Sequence, residues 1–166
     1  MVRWADFEEA APEPAAHIRE LIERYRFVLV GTIRRDGTPR ISPVEARFVS
    51  GHLMLVMITG TLKARDLLRD PRILLNSPIT HPDDPNFEFK LRGRVIEVQD
   101  QVLRSATADA IEAMSGWRPP LSWHFFSIDI EDAAFIAWEA GVMRMTHWTR
   151  ERGLEQVSRR TAVLDE

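Results

Sequence analysis

The chain of 166 residues contains no cysteine. Disulfide scaffolds, thiolate zinc sites, iron–sulfur clusters and cysteine nucleophiles are thereby excluded. Long apolar runs are missing as well: a stretch such as Leu53 to Ile58 falls far short of a membrane span. The N-terminus, Met1-Val2-Arg3-Trp4-Ala5-Asp6-Phe7-Glu8-Glu9, is acidic and carries no apolar signal segment. Neither sign of charge dominates, since 22 Lys+Arg stand against 25 Asp+Glu for a net charge of -3. That balance argues against general nucleic-acid binding, which needs net or clustered positive charge. The expectation is a soluble cytoplasmic protein that binds neither nucleic acid nor a membrane.

Several standard sites are absent too. The 8 glycines never give GxGxxG or GxxxxGK, so the phosphate loops of Rossmann and P-loop proteins are excluded, and no GxSxG elbow occurs. His17, His52, His81, His124 and His147 show no HxH or HExxH spacing. Asp83-Asp84 lacks the glycine and downstream glutamate of a calcium loop and reads as an acidic surface turn. No metal site is expected.

What is present reads as one domain over 1–166, long enough to bury about 70% of its unfolded surface in a single core. Residues 4–25 are helical in pattern: Asp6 suits a first turn, Pro12 and Pro14 suit a helix start, and Ile18, Leu21, Ile22 and Tyr25 recur at helical spacing. From Phe27 the period becomes two. Phe27–Ile33, Thr38–Val49 and His52–Ile58 form an antiparallel meander, closed by Asp36-Gly37 and Ser50-Gly51. A helix then opens at Thr59 or Thr61, with Leu62, Leu67 and Leu68 as its inner face and Pro71 as its stop. Strands over Arg72–Ile79 and Phe87–Val98 follow, separated by a loop at His81–Asn86. A helix over Asp100–Met114 and strands over Trp123–Ile130, Ala133–Trp138 and Val142–Trp148 complete the pattern. The tail beyond Arg150 is weakly patterned and expected to fray. The class is mainly β with peripheral helices, a closed or nearly closed barrel.

Pro39 to Asp70 carries the chemistry. Arg40, Ser42 and Val44 share one strand face, and the next helix opens with Thr59, Gly60, Thr61 and Lys63. A helix start presents free N–H groups and partial positive charge, so it suits a phosphate, and Arg40 adds a guanidinium. Taken locally, an ordinary capped helix with a solvated lysine is the commoner meaning of such a stretch.

The order of the pieces changes that weighting. Val30-Gly31-Thr32-Ile33-Arg34-Arg35-Asp36-Gly37-Thr38-Pro39-Arg40-Ile41-Ser42-Pro43-Val44, then Gly51-His52-Leu53-Met54-Leu55, then Lys63-Ala64-Arg65-Asp66-Leu67-Leu68-Arg69-Asp70-Pro71-Arg72, resembles the FMN-binding split-barrel family related to pyridoxamine 5'-phosphate oxidase. Phe89-Lys90-Leu91-Arg92-Gly93-Arg94-Val95 resembles the family strand that carries a glycine before its outward turn. The resemblance implies a six-stranded antiparallel split β-barrel, a homodimer and FMN bound in a groove at the dimer interface. It implies that Arg40, Lys63 and Thr61 hold the phosphate. Ser42 and Val44 would line the flavin edge, and Val56 and Met57 would offer backbone groups.

Two departures bear on activity. Glu45 stands where the oxidase has a lysine, so either Arg47 offsets its charge or the cofactor sits differently. The oxidase's C-terminal arginine and histidine signature is not evident in Met145-Thr146-His147-Trp148-Thr149-Arg150, which argues against pyridoxamine phosphate oxidation. The expected function is a flavin-dependent oxidoreductase that moves hydride to or from a small-molecule substrate. The alternatives are a deazaflavin-dependent reductase on the same fold and a non-catalytic flavin- or ligand-binding sensor module. Trp117, Trp123, Trp138 and Trp148 read as core and interface residues, Lys90, Arg92 and Arg94 as a solvated strand face, and His124 and His147 as structural.

Overall fold

Side chains buried at every second position in β1 (Phe27–Ile33), a partly alternating β2 (Pro39–Val49) and a continuously apolar β3 (His52–Met57) make the expected meander. These are the coordinates of a computed structural model, which describes residues 1–78, 87–139 and 142–160. Gly37 and Gly51 close the two turns at φ +85° and +76°, a conformation L side chains avoid. β4 (Arg72–Asn76), β5 (Phe87–Glu97) and β6 (His124–Glu139) extend the antiparallel order β3-β2-β1-β4-β5-β6. β6 then pairs back onto β3, from Met54↔Ser127 to Met57↔His124, and closes a six-stranded barrel. Val28, Val30, Leu55, Leu91, Phe126 and Ile128 are fully buried inside it.

The last strands differ from expectation. Trp123–Ile130 and Ala133–Trp138 are not separate: they form β6, a strand of 16 residues with a bulge. Arg92 pairs with Asp132 but Gly93 with Ile130, so Glu131 is the extra residue that breaks the alternation. The second half of β6 carries β7 (Val142–Thr149) and β8 (Gly153–Arg160) as a hairpin. The expected fraying from residue 151 is therefore corrected through Arg160: Gly153, at φ +70°, turns the chain back onto the open edge of β7. Residues 161–166 and the His81–Asn86 turn lie outside the described residues.

α1 (Trp4–Ala10) and α2 (Pro12–Tyr25) bury Trp4, Phe7, Ile18 and Ile22 in the barrel cluster. Asp6 accepts the Arg3 N–H at 2.8 Å. α3 (Leu62–Arg69) links β3 to β4. α4 (Gln101–Ser115) starts at Asp100, whose carboxylate accepts the Val102 N–H, and its Ala108 shares a second apolar cluster with Val49, Met54 and Phe125. Arg104 of α4 is buried over the Phe125 ring and donates to the carbonyls of Val98, Leu121 and Trp123. It thereby fixes the end of the loop leading into β6.

Candidate functional site

β2 pairs with β1 from Pro39 to Glu45, but with β3 only from Ala46 onward, Ala46 facing Leu55. The edge of β2 turned away from β1 is thus unpaired over Pro39–Glu45. The β2-facing backbone of Val56 and Met57 likewise lies beyond the ladder. Such an edge keeps free N–H and C=O groups that a ligand or another chain can use. This split leads to the turn that opens α3.

Arg40, Ser42 and Val44 do share one face of β2, opposite Thr32, Val30 and Val28. Val44 and Met57 are 3% and 1% exposed, so their side chains pack in the barrel core and only their backbone can border the split. Ser42 is half-buried, and Val56 leans on the α4 cluster. Lys63 is half-buried and forms no ion pair among the described residues.

The start of α3 is built otherwise than expected. Thr61 occupies the N-cap position, yet its hydroxyl donates backward to the Ile58 carbonyl at 2.8 Å. The Thr59 hydroxyl donates to the Ser122 carbonyl, also at 2.8 Å. Neither threonine caps the helix, so the first-turn N–H groups have no side-chain acceptor. The inner face is corrected too: Ala64, Asp66 and Leu67 are buried, whereas Leu62 and Leu68 are 57% and 49% exposed.

Asp66 is the residue that pattern reading missed. Its carboxylate accepts from Arg40 Nε at 2.7 Å and from the Thr32 hydroxyl at 3.1 Å, and Arg69 reaches its other oxygen. Burial pushes this carboxyl up, but the hydrogen bonds from Arg40 and Thr32 and the charge of Arg40 outweigh it and hold it below the usual carboxylate range. A charged residue on a helix reads as solvated; only the complementary Arg40 hinted otherwise. Because Asp66 engages Nε alone, the terminal nitrogens of Arg40 remain available as donors.

Of the remaining candidates, Glu45 is ion-paired to Arg47, as one of the two expectations for that departure required. Burial pushes the Arg47 guanidinium down and the Glu45 charge pulls it back up. His124, opposite Met57 in the barrel wall, has Nδ1 2.7 Å from Glu97. His147 has Nε2 2.9 Å from Asp132, which also pairs with Arg92, while Lys90 pairs with Glu88. Trp148 is buried against Phe7, and the rings of Trp117 and Trp123 lie 5.1 Å apart beside the Thr59-bound loop. Among the described residues, no His/Asp/Glu group is arranged to hold a metal, and no helix is long and apolar enough to cross a membrane.

The donor types suit a phosphate ester: a guanidinium held in place by Asp66, an uncapped helix start and an ammonium that forms no ion pair among the described residues. A family model described as pyridoxamine 5'-phosphate oxidase matches residues 15–147. No curated protein matches the sequence. A heme binding protein from Mycobacterium smegmatis is similar in structure at TM-score 0.66 and 20% identity, over 86% of this chain and 58% of its own. PhzG from Burkholderia lata 383, solved in complex with tetrahydrophenazine-1-carboxylic acid, gives TM-score 0.65 at 9% identity, over 93% and 96%. A pyridoxamine 5'-phosphate oxidase-related, FMN binding protein from Nostoc punctiforme PCC 73102 gives 0.63 at 14%, over 87% and 95%. At these identities the likeness is one of fold, and the chain spans little more than half the length of the heme binding protein.

Proposed function

Because the chain belongs to the pyridoxamine 5'-phosphate oxidase-related, FMN-binding split-barrel family, we propose that it is a flavoprotein holding FMN along the split between β2 and β3. In this reading it is an oxidoreductase acting on a small molecule. The observation that carries it is Arg40, fixed by Asp66 with its terminal nitrogens free, next to a helix start that no side chain caps. Arg40, Lys63 and the uncapped first-turn N–H groups of α3 would hold the phosphate, with Thr61 joining them on turning its hydroxyl away from the Ile58 carbonyl. Ser42, the backbone of Val44 and the β2-facing side of the Val56–Met57 backbone would orient the ring edge. Bound FMN supplies two-electron hydride chemistry; the protein supplies position and electrostatics. Glu45 does not oppose an anionic ring in this arrangement, since Arg47 takes up its charge.

A homodimer and a cytoplasmic setting belong to the same proposal. Ile41 and Leu74, 72% and 43% exposed, flank Gly31 on the outer barrel face, with Phe27, 49% exposed, farther along β1. Large apolar side chains gathered on one outer face suit burial against a second copy. A cysteine-free chain fits a reducing compartment as well as any other.

The test is a visible spectrum of freshly purified protein, followed by FMN titration. A yellow protein, or one that takes up FMN stoichiometrically, supports the reading. A colourless protein that ignores FMN overturns it. Selective uptake of a deazaflavin coenzyme would transfer it to a deazaflavin-dependent reductase, and flavin binding without turnover to a sensor or storage module.

A further inference from the structure

The hairpin between β1 and β2 is an arm tied by its own hydrogen bonds. Asp36 accepts from the Thr38 N–H at 3.0 Å and from the Thr38 hydroxyl at 2.6 Å, and the Arg34 N–H donates to the Thr38 carbonyl at 2.8 Å. The arm sets Arg34 and Arg35 against the side of α3 that carries Leu62, Arg65, Asp66 and Arg69, residues spaced to share one helix face. Between arm and helix lies a cavity of about 630 Å³, with Arg40 at its wall. That volume falls in the range of small-molecule sites.

Its charge is lopsided. Arg34, Arg35, Arg40, Arg65 and Arg69 face only Asp36 and Asp66. Asp66 is committed to Arg40 and Arg69, and Asp36 is tied into its own turn. Arg35, Arg65 and Arg34 have no ion-pair partner among the described residues; Arg34 donates to the Thr38 hydroxyl at 3.5 Å and lies near enough to Asp36 for its charge to be felt there. The protein as a whole is net negative, so this concentration of guanidinium is local rather than general. Like charges gathered on one concave surface repel each other until an anion joins them, and guanidinium forks match phosphate and carboxylate oxygens.

We propose that this cavity is a second anion site, occupied by the phosphate or carboxylate group of an anionic substrate. The inference rests on the FMN reading in one respect: Arg40 and Lys63 are assigned to the flavin phosphate, which leaves Arg34, Arg35 and Arg65 for a separate group.

Inorganic pyrophosphate serves as the probe, titrated at physiological ionic strength into FMN-loaded protein and followed by calorimetry, with flavin absorbance reporting retention of FMN. Saturable binding with FMN retained is expected. In the double variant Arg35→Ala/Arg65→Ala, pyrophosphate affinity should fall at least about tenfold, the loss expected for charge-assisted hydrogen bonds, with FMN affinity unchanged. No pyrophosphate binding, or equal binding to the variant, overturns the proposal. Release of FMN by pyrophosphate overturns it also, because the cavity is then the flavin phosphate site itself. A parallel titration with FAD separates the two sources of a second anion: tighter binding of FAD than of FMN, abolished in the double variant, gives the site to the cofactor and overturns its assignment to substrate. Should the protein take up no FMN yet bind pyrophosphate through Arg35 and Arg65, the FMN reading falls and the anion site stands.

Discussion

Arg40 Nε lies 2.7 Å from Asp66 Oδ2, which ties the free edge of β2 to the buried face of α3. The carboxylate is 5% exposed and the arginine side chain 20%. Removing one partner of such a pair strands the other charge in a poorly solvated place. Asp66→Ala should therefore destabilise the protein by about 2–3 kcal/mol, below the full cost at a wholly buried pair because Arg40 keeps a wet side. Removing the exposed Arg3–Asp6 pair should cost far less, because water screens both charges. Urea midpoints for the two variants check the contrast, and equal losses would contradict it.

The same carboxylate gives a pH dependence with a definite sign. Its folded pKa is lowered, so the stability it contributes is present above the ordinary carboxylate value near 4 and drains as pH falls through the lower folded value. An asparagine at this position has no proton to gain. The stability gap between wild type and Asp66→Asn should be widest at neutral pH and shrink as pH falls below the ordinary carboxylate range. Denaturation midpoints over that range measure it; a gap that stays constant would show that Asp66 is not the titrating group.

Lys63 and Arg40 should separate on mutation. Each is assigned to the flavin phosphate, and each alanine variant should weaken FMN binding by about 1.5–3 kcal/mol, as for hydrogen bonds to a charged group. Only Arg40→Ala should also lower thermal stability, because it abandons Asp66, whereas Lys63 forms no ion pair among the described residues. Paired FMN titrations and melting curves of the two variants test this. Unchanged FMN affinity in both would remove these residues from the site.

The meander and the barrel were legible because their signals are local: alternation in β1 and β5, a continuous apolar run in β3, and glycines at the two tight turns. β6 was not legible as one strand, since the bulge at Glu131 places Asp129, Glu131 and Asp132 where alternation should continue. β8 was hidden because Leu154, Glu155, Gln156 and Ser158 are exposed and its pairing comes from β7. For the candidate site, the family resemblance pointed to Arg40, Lys63 and Thr61, whose phosphate role belongs to the proposed function. What could not be foreseen was which polar groups are already spent. Asp66 on Arg40 and Thr61 on the Ile58 carbonyl are long-range or turn-specific choices that no periodicity encodes.

Gly93 sits at the bulge, and a Cβ there would collide with the carbonyl oxygen of Asp129 on β6. The obstacle is backbone in the middle of a paired strand, so it cannot swing aside as a flexible side chain would. Gly93→Ala should cost at least about 2–3 kcal/mol, at the upper end of overpacking effects. Gly37→Ala, at a turn where space is open but φ is +85°, should cost about 1 kcal/mol. Denaturant titration of both variants tests the ranking, and a Gly93 variant as stable as the Gly37 variant would contradict the close approach.

Ile41 is 72% exposed on a strand whose inner face carries the phosphate candidates, and Leu74 lies across Gly31 from it. In a monomer an aspartate at this position would merely improve solvation and leave stability within about 0.5 kcal/mol, as for most surface changes. In the proposed homodimer it would place an unpaired charge in an apolar contact, where desolvation costs several kcal/mol per ion. Ile41→Asp should therefore convert a dimer to a monomer in sedimentation velocity while the far-ultraviolet circular dichroism stays that of the wild type. If the wild type itself sediments as a monomer, this face is not a dimer contact and the exposed side chains of Phe27, Ile41 and Leu74 need another partner.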